Sequence, residues 1–254
     1  MPHPTGSGTL PVFERQFGSW RIVIDRDAFS QSDISQIYDR CARSWKKRLS
    51  LFGTTETYGS AWDAFFDLTS GTRAQRQLRV LDCGIGDGAF SSAFASRYPG
   101  ELDLHGVDLS AGMLDQARTN LSASGIHPTL WQADCRDLPF ETETFDIVMA
   151  AHVIEHLPDP QSALSEMFRV LKPGGRAAFA ITRNSPLGRL IQFSWRTQTF
   201  SFRNVSELLL NAKFSAAQEL PIATSHLQNQ LSLFCVAQKA DAIAASATNC
   251  HEEI

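Results

Sequence analysis

No apolar run in these 254 residues approaches the about 18 needed to cross a bilayer. The opening MPHPTGSGTLPVF also lacks the basic start and apolar stretch of a signal peptide. Neither export nor stable membrane insertion is supported, and a cytoplasmic protein is the expectation. Cysteine is sparse: Cys41, Cys83, Cys135, Cys235 and Cys250 are odd in number and scattered, with no Cys-x-x-Cys pair and no ligand-like spacing to a histidine. Free thiols in a reducing compartment suit that pattern. An excess of one charge is lacking too. A net charge of −4 with 43% hydrophobic and 20% charged residues fits an ordinary globular protein with no polyanionic partner. No internal repeat is apparent, and the length suits one large α/β domain.

What is present falls into three parts. Residues 1–11 hold Pro, Gly, Ser and Thr without periodicity and read as an arm. SQSDISQIYDRCARSWKKRLSLF then spaces Ile34, Ile37, Tyr38, Cys41, Trp45 and Leu49 as one face of an amphipathic helix. Its other face carries Arg40, Arg43, Lys46, Lys47 and Arg48, and a second helix is expected in TETYGSAWDAFFDLTS. Residues 1–70 are thus an N-terminal arm and helical cover. From Leu78 the rhythm changes to short apolar runs alternating with helical segments, as in a parallel sheet with crossover helices. The runs are LRVLDC, LDLHGVD, PTLWQAD, FDIVMAA and GRAAFAIT, with helices expected near 88–97, 110–124 and 160–171. Pro173 and two glycines in VLKPGG stop the last of these. A helix in NVSELLLNAKF and strands in SAAQELPI and QLSLFCVAQK follow, so an α/β domain spans 71–240, and 241–254 reads as a flexible tail.

In VLDCGIGDG a strand ends in Asp82 and is followed by Gly84, Gly86 and Gly88 before a helix. Glycines there let the backbone turn sharply and let a ligand approach main-chain N–H groups. About twenty residues on, LDLHGVDLS ends in Asp108, an acid placed to accept both hydroxyls of a ribose. The pair reads as a nucleoside site, open at this point to a dinucleotide or another nucleoside cofactor.

VLDCGIGDG, GVDLSAGML, ADCRDLPF, FDIVMAAHVIEHLPDP and EMFRVLKPGGRAAFAIT, in that order between Leu78 and Thr182, resemble the successive motifs of class I S-adenosylmethionine-dependent methyltransferases. Most similar are the small-molecule enzymes of the quinone-biosynthesis type. The resemblance implies a doubly wound, Rossmann-like seven-stranded sheet, mostly parallel with an antiparallel last strand and helices on both faces. It implies S-adenosylmethionine as cofactor, with Asp82, Gly84, Ile85, Gly86 and Gly88 facing the methionine end and Asp108 the ribose diol. Leu109 and Met113 would pack on the adenine, Asp134 and the Cys135 backbone would face its polar edge, and Ala150 would leave room beside the cofactor. A sulfonium is already an electrophile, so the protein must chiefly place the acceptor, exclude water and remove a proton where needed.

The acceptor pocket should draw on the N-terminal cover and the loops after the fourth and fifth strands. Tyr38, Trp45 and Tyr58 are candidates from the cover, His152 after the fourth strand, Arg183 and Asn184 after the fifth, and His226 between the last two strands. His152 and Tyr38 are the candidates for catalysis. No acid falls between Glu166 and Glu207, while Arg169, Lys172, Arg176, Arg183, Arg189, Arg196 and Arg203 do. A spread basic surface is the plain reading; recognition of an anionic acceptor by Arg183, Arg189 or Arg196 is the sharper one.

Two rival readings need separating. His152-Val-Ile-Glu155-His156 matches the pattern of an inverted zinc peptidase, yet it begins at a strand end and meets Pro158 and Pro160, leaving little helix to present ligands. No metal is expected. The sulfonium could alternatively serve cyclisation of the cofactor's own arm with release of methylthioadenosine, which cofactor motifs do not distinguish. No Pro-Pro-aromatic motif follows the fourth strand, so a nucleic-acid acceptor is not expected. The partner is a small-molecule acceptor, and the chain is a monomer or homodimer.

Overall fold

The computed structural model describes residues 9–27, 33, 36, 39, 54–69, 77–195, 197–215, 217–222 and 226–241. Tyr38, Trp45, Arg196, the basic helix face and the expected tail beyond 241 lie outside them. Of the first expected helix only Asp33, Gln36 and Asp39 are described, all three helical and exposed.

Strands β1 (Thr9–Phe17) and β2 (Trp20–Asp27) pair antiparallel as a hairpin around Gly18 and Ser19. This corrects the arm expected over 1–11, whose last three residues belong to β1. Helix α1 (Thr54–Leu68) buries Tyr58, Ala61, Trp62, Phe65 and Phe66 on one face. Burying each large apolar side chain stabilises by about 1.5–3 kcal/mol, which holds a helix that carries no basic residue in its last turn.

The domain then runs β3 (Leu78–Cys83), α2 (Ala89–Ala95), β4 (Leu102–Asp108), α3 (Ala111–Ser122), β5 (Thr129–Gln132), β6 (Phe145–Ala151), α4 (Pro160–Val170) and β7 (Leu171–Thr182). It continues through α5 (Pro186–Trp195), α6 (Phe202–Asn211), β8 (Gln218–Glu219), α7 (His226–Leu231) and β9 (Ser232–Gln238). The sheet order is β5-β4-β3-β6-β7-β9-β8, parallel except for β9, which runs antiparallel to both neighbours. One core lies under α4 and α6, around Met167, Phe179 and Leu209; the other lies under α1, α2 and α3, around Trp62, Phe94 and Leu121. This is the expected doubly wound sheet with helices on both faces.

Three details differ from expectation. Helix α4 ends at Val170, before Pro173, and Lys172–Gly175 is absorbed as an irregularity where the β6/β7 register shifts. Among the described residues of SAAQELPI, Gln218 and Glu219 form the short β8, an edge strand bonded to β9 alone. Residues of RNSPLGRLIQFSWRTQ form α5, whose start is held by Ser185 Oγ accepting from Gly188 N at 2.9 Å.

Candidate active site

The strand order reverses between β3 and β6, and the loops leaving their carboxyl ends meet there, the place where open α/β sheets bind ligands. After β3 the chain turns through Gly84, Gly86 and Gly88 with φ of 72°, 55° and 82°. Those values lie in the left-handed region, which glycine enters without strain. Gly84 N and Ile85 N donate to Val107 O at 2.8 and 3.0 Å, pinning the turn to β4. A Cβ on Gly84 would stand 2.3 Å from Val153 Cγ2, whereas one on Gly86 would meet nothing nearer than Gly84 O at 4.0 Å. Gly84 is bare because the loop after β6 presses on it; Gly86 presents bare backbone to open space.

Asp82 is buried at the head of this turn. Ser91 Oγ donates to its Oδ2 at 2.6 Å, and its buried Oδ1 has no hydrogen-bond partner among the described residues. Burial pushes the Asp82 carboxyl up to about 7, the Ser91 bond opposes this, and the nearby Asp108 and Asp87 add to it. At the end of β4, Asp108 Oδ2 accepts from Gly86 N and Oδ1 from Ser110 N, both at 2.9 Å. Burial raises its carboxyl as well, and those backbone bonds pull it back. Backbone N–H groups of Gly86, Ser110 and Leu109 all reach this carboxylate, which keeps acceptor capacity for a hydroxyl donor. Converging acids with an orphaned buried oxygen suit a ligand that brings positive charge and hydroxyls.

The other expected cofactor residues lie on β6 and in the segments that follow β3, β4 and β5. Ile85, Met113, Cys135 and Ala150 are buried and Leu109 is half-buried. Met113 stands in the first turn of α3, where its N–H donates to Ser110 Oγ at 3.0 Å. Asp134 is forked onto its neighbour, accepting from Arg136 N, Nε and Nη2 at 2.9 to 3.2 Å. Asp39 also reaches the site, accepting from Ser110 Oγ and from Gly112 N. No sequence signal marked it beyond its place on the expected cover helix.

Beyond β6 lies the second cluster. His152 has φ 56°, uncommon for a residue with a Cβ, and its N–H donates to Ala180 O at 2.8 Å. Its Nδ1 lies 2.9 Å from Glu155 Oε1, and its Nε2 lies 3.4 Å from Ser232 Oγ at the start of β9. Glu155 is fully buried, and the same Oε1 accepts from Thr182 N at 3.0 Å and Thr182 Oγ1 at 2.7 Å. Burial would raise the Glu155 carboxyl; the bond from His152, the neighbouring histidines and the bond from Thr182 outweigh it and hold the group below its ordinary value. Tyr58 of α1 walls this cluster, its ring centroid 4.9 Å from Phe90, 6.2 Å from Phe234 and 6.4 Å from His152. Thr182 and Ser232 carried no motif in the sequence; the pairing of β7 with β9 sets them opposite each other.

The remaining candidates are less well placed. Arg183, expected to meet the acceptor, donates through Nη2 to Glu219 Oε1 at 2.6 Å. Asn184 and Arg189 are exposed and bonded to each other at 3.2 Å. His226 opens α7, and its backbone alone is described. The acid-free stretch finds acids from elsewhere: Arg169 pairs with Glu166, Lys172 with Asp146 and Arg203 with Glu207. Ile154–His156 is a single 3-10 turn, and no group of three potential ligands converges as a metal site among the described residues.

Fold and site resemble those of class I S-adenosylmethionine-dependent methyltransferases, and comparison with known proteins gives the same likeness. A family model described as a methyltransferase domain matches residues 81–179. The ubiquinone/menaquinone biosynthesis C-methyltransferase of Geobacter sulfurreducens is 35% identical over 156 residues, 60% of this chain and 59% of that one. The chloroplastic 2-methyl-6-phytyl-1,4-hydroquinone methyltransferase 2 of Oryza sativa is 40% identical over 103 residues, 40% of this chain and 28% of that one. Among solved structures, a SAM-dependent methyltransferase from Thermotoga maritima shares the fold with TM-score 0.59 and 21% identity, over 80% of this chain and 99% of that one. Over the matched part of its length the chain is similar to methyltransferases of the quinone-biosynthesis type. It spans 59% to 65% of the length of the first curated relatives. No helix among the described residues is long and apolar enough to cross a membrane.

Proposed function

We propose that this protein moves the methyl group of S-adenosylmethionine to a ring carbon of a hydroxylated aromatic small molecule of the hydroquinone class. The observation that carries the reading is the contact between two unlike clusters at one sheet edge. The acid-rich glycine turn touches, through Gly84 and Val153, the loop that holds His152. The relatives named above support the acceptor class, since one is named for carbon methylation and the other for a hydroquinone.

Bound S-adenosylmethionine would supply a methyl carbon on a sulfonium, with sulfur as the leaving atom that keeps the bonding electron pair. Asp82 Oδ1 would accept from the ammonium of the methionine end, and the bare turn at Gly86 would let the cofactor lie against backbone. The acceptor capacity left on Asp108 would take a ribose hydroxyl. His152 Nε2 removes the proton of the acceptor hydroxyl, so that electron density reaches the ortho carbon as it bonds to the methyl group. That carbon then loses its own hydrogen as a proton to solvent, the ring regains aromaticity, and the oxygen takes back the proton held by His152, so that one proton is released per turnover. Tyr58, Phe90 and Phe234 form the apolar wall that keeps bulk water from the methyl transfer itself.

The test is anaerobic incubation of the full chain with S-adenosylmethionine and 1,4-naphthohydroquinone. The expected products are the 2-methyl hydroquinone and the demethylated cofactor in equal amounts. Methylthioadenosine formed without an acceptor would instead mark the cyclisation route, and no product of either kind would remove hydroquinones from consideration.

A further inference from the structure

Glu155 is a buried carboxylate that neither the cofactor cluster nor the proton transfer itself uses. Its burial has to be explained, because an ionised carboxyl inside a protein is costly unless donors surround it. Three donors meet on one oxygen: His152 Nδ1, Thr182 N and Thr182 Oγ1, at 2.9, 3.0 and 2.7 Å. Thr182 comes from β7, two strands from β3, so the carboxylate joins the loop after β6 to the end of the neighbouring strand. A carboxylate can only accept, so the Nδ1 it faces must carry the hydrogen. The Nε2 lone pair is then left toward Ser232 Oγ and the partly open side of the ring, whose side chain is 29% exposed. The left-handed backbone at His152 points the same way: such a conformation costs roughly 1–3 kcal/mol and persists where the surroundings enforce it.

We infer that Glu155 is a positioning residue that locks His152 in the Nδ1–H form, presenting Nε2 as a proton acceptor with a fixed negative group behind it. Thr182 completes the lock. Such an arrangement serves an acceptor that arrives as a neutral hydroxyl and must lose its proton; an amine already holding a lone pair has no use for it. Ser232 Oγ, 3.4 Å from Nε2, lies on the side from which that hydroxyl would approach. This deepens the proposed reaction and rests on His152 acting as its base.

The experiment is a long-range proton–nitrogen spectrum of the 15N-labelled full chain, with the His152 pattern assigned by its loss in His152→Gln. The expected pattern at pH about 8 is a protonated Nδ1 and a bare Nε2; a protonated Nε2 would overturn the lock. Glu155→Ala should lose the single-form pattern, and Glu155→Gln should lower kcat with 1,4-naphthohydroquinone about 10- to 100-fold while leaving cofactor KM unchanged. Glu155→Asp should recover part of that loss. Should the Glu155 variants fail to fold, the wild-type pattern still decides. Full turnover by His152→Gln would sink the base reading while leaving the spectrum to judge the lock. Unchanged kcat in folded Glu155→Gln, with His152→Gln inactive, would sink the positioning role alone.

Discussion

On the side of the cleft under β3, β4 and β5, the contacts that shape the site are mostly local. Asp82 meets Ser91 nine residues away, and Asp108 caps the Gly86 amide 22 residues away. Across β6, β7 and β9 they are made between side chains brought together from afar: His152 meets Thr182 30 residues on, Ser232 80 residues on, and the ring of Tyr58 from α1. On the proposed reading the first side is largely a main-chain mould for a fixed ligand, the cofactor. The second is an arrangement of side chains that can be exchanged without disturbing the sheet, which is how one fold serves many acceptors. The two sides touch through Gly84 and Val153, so each can be attacked separately or both at once.

The largest expected effect falls on the acceptor side. His152→Ala should lower kcat about 10²- to 10⁴-fold and leave the affinity for the demethylated cofactor as it was, measured by calorimetric titration. Next comes the cofactor side. Asp82→Asn should weaken that affinity about 30- to 100-fold, the scale of losing a charged hydrogen bond, with the His152 ring pattern unchanged by NMR. Because the Asp82 carboxyl is held up to about 7, a cation must displace its proton below that pH. Affinity should therefore fall toward tenfold per pH unit under acid conditions, and Asp82→Asn should flatten the dependence. Stability carries the opposite sign. The folded carboxyl keeps its proton where the unfolded one, near 3.8, has lost it, so this group's contribution declines as pH rises from the unfolded value to about 7.

Gly84→Ala strikes both sides. The φ of 72° and the stiff Val153 side chain both resist a Cβ, and a loss of about 2 kcal/mol is expected in denaturant melts. Thr182→Val removes one of three donors to Glu155 and should lower kcat by only about threefold, near 1 kcal/mol or less. Least of all, Arg189→Gln should change neither cofactor affinity nor acceptor KM by more than about twofold, since an exposed side chain bonded to Asn184 contributes little. A large rise in acceptor KM there would revive the anionic-acceptor reading.

The difference between the sides also explains what could be read from the chain alone. Gly84, Gly86 and Gly88 announce themselves because only certain residues tolerate that turn, and Asp108 because strand length fixes its distance from them. Sheet and crossover helices were legible for the same reason, as period and punctuation are local. Thr182 and Ser232 were not, since their meeting depends on the β7/β9 register, which no motif encodes. Arg183 looked free in a stretch without acids, yet Glu219 on the next-but-one strand takes its charge. His152 was found through its place after a strand, while the reason for its orientation, a buried Glu155 tied to Thr182, needed the fold. The β1/β2 hairpin has a signal, Gly18-Ser19 between two runs of strand-forming residues, which was masked by the unpatterned residues before it.

The central claim is that binding the cofactor and activating the acceptor are performed by separable halves of one cleft. It is tested most directly by measuring, for Asp82→Asn and His152→Ala side by side, the affinity for the demethylated cofactor and the single-turnover rate at saturating S-adenosylmethionine. The account expects a crossed result: Asp82→Asn loses affinity but recovers most of its rate at saturation, and His152→Ala keeps affinity but loses its rate. Both variants losing both properties together would contradict it.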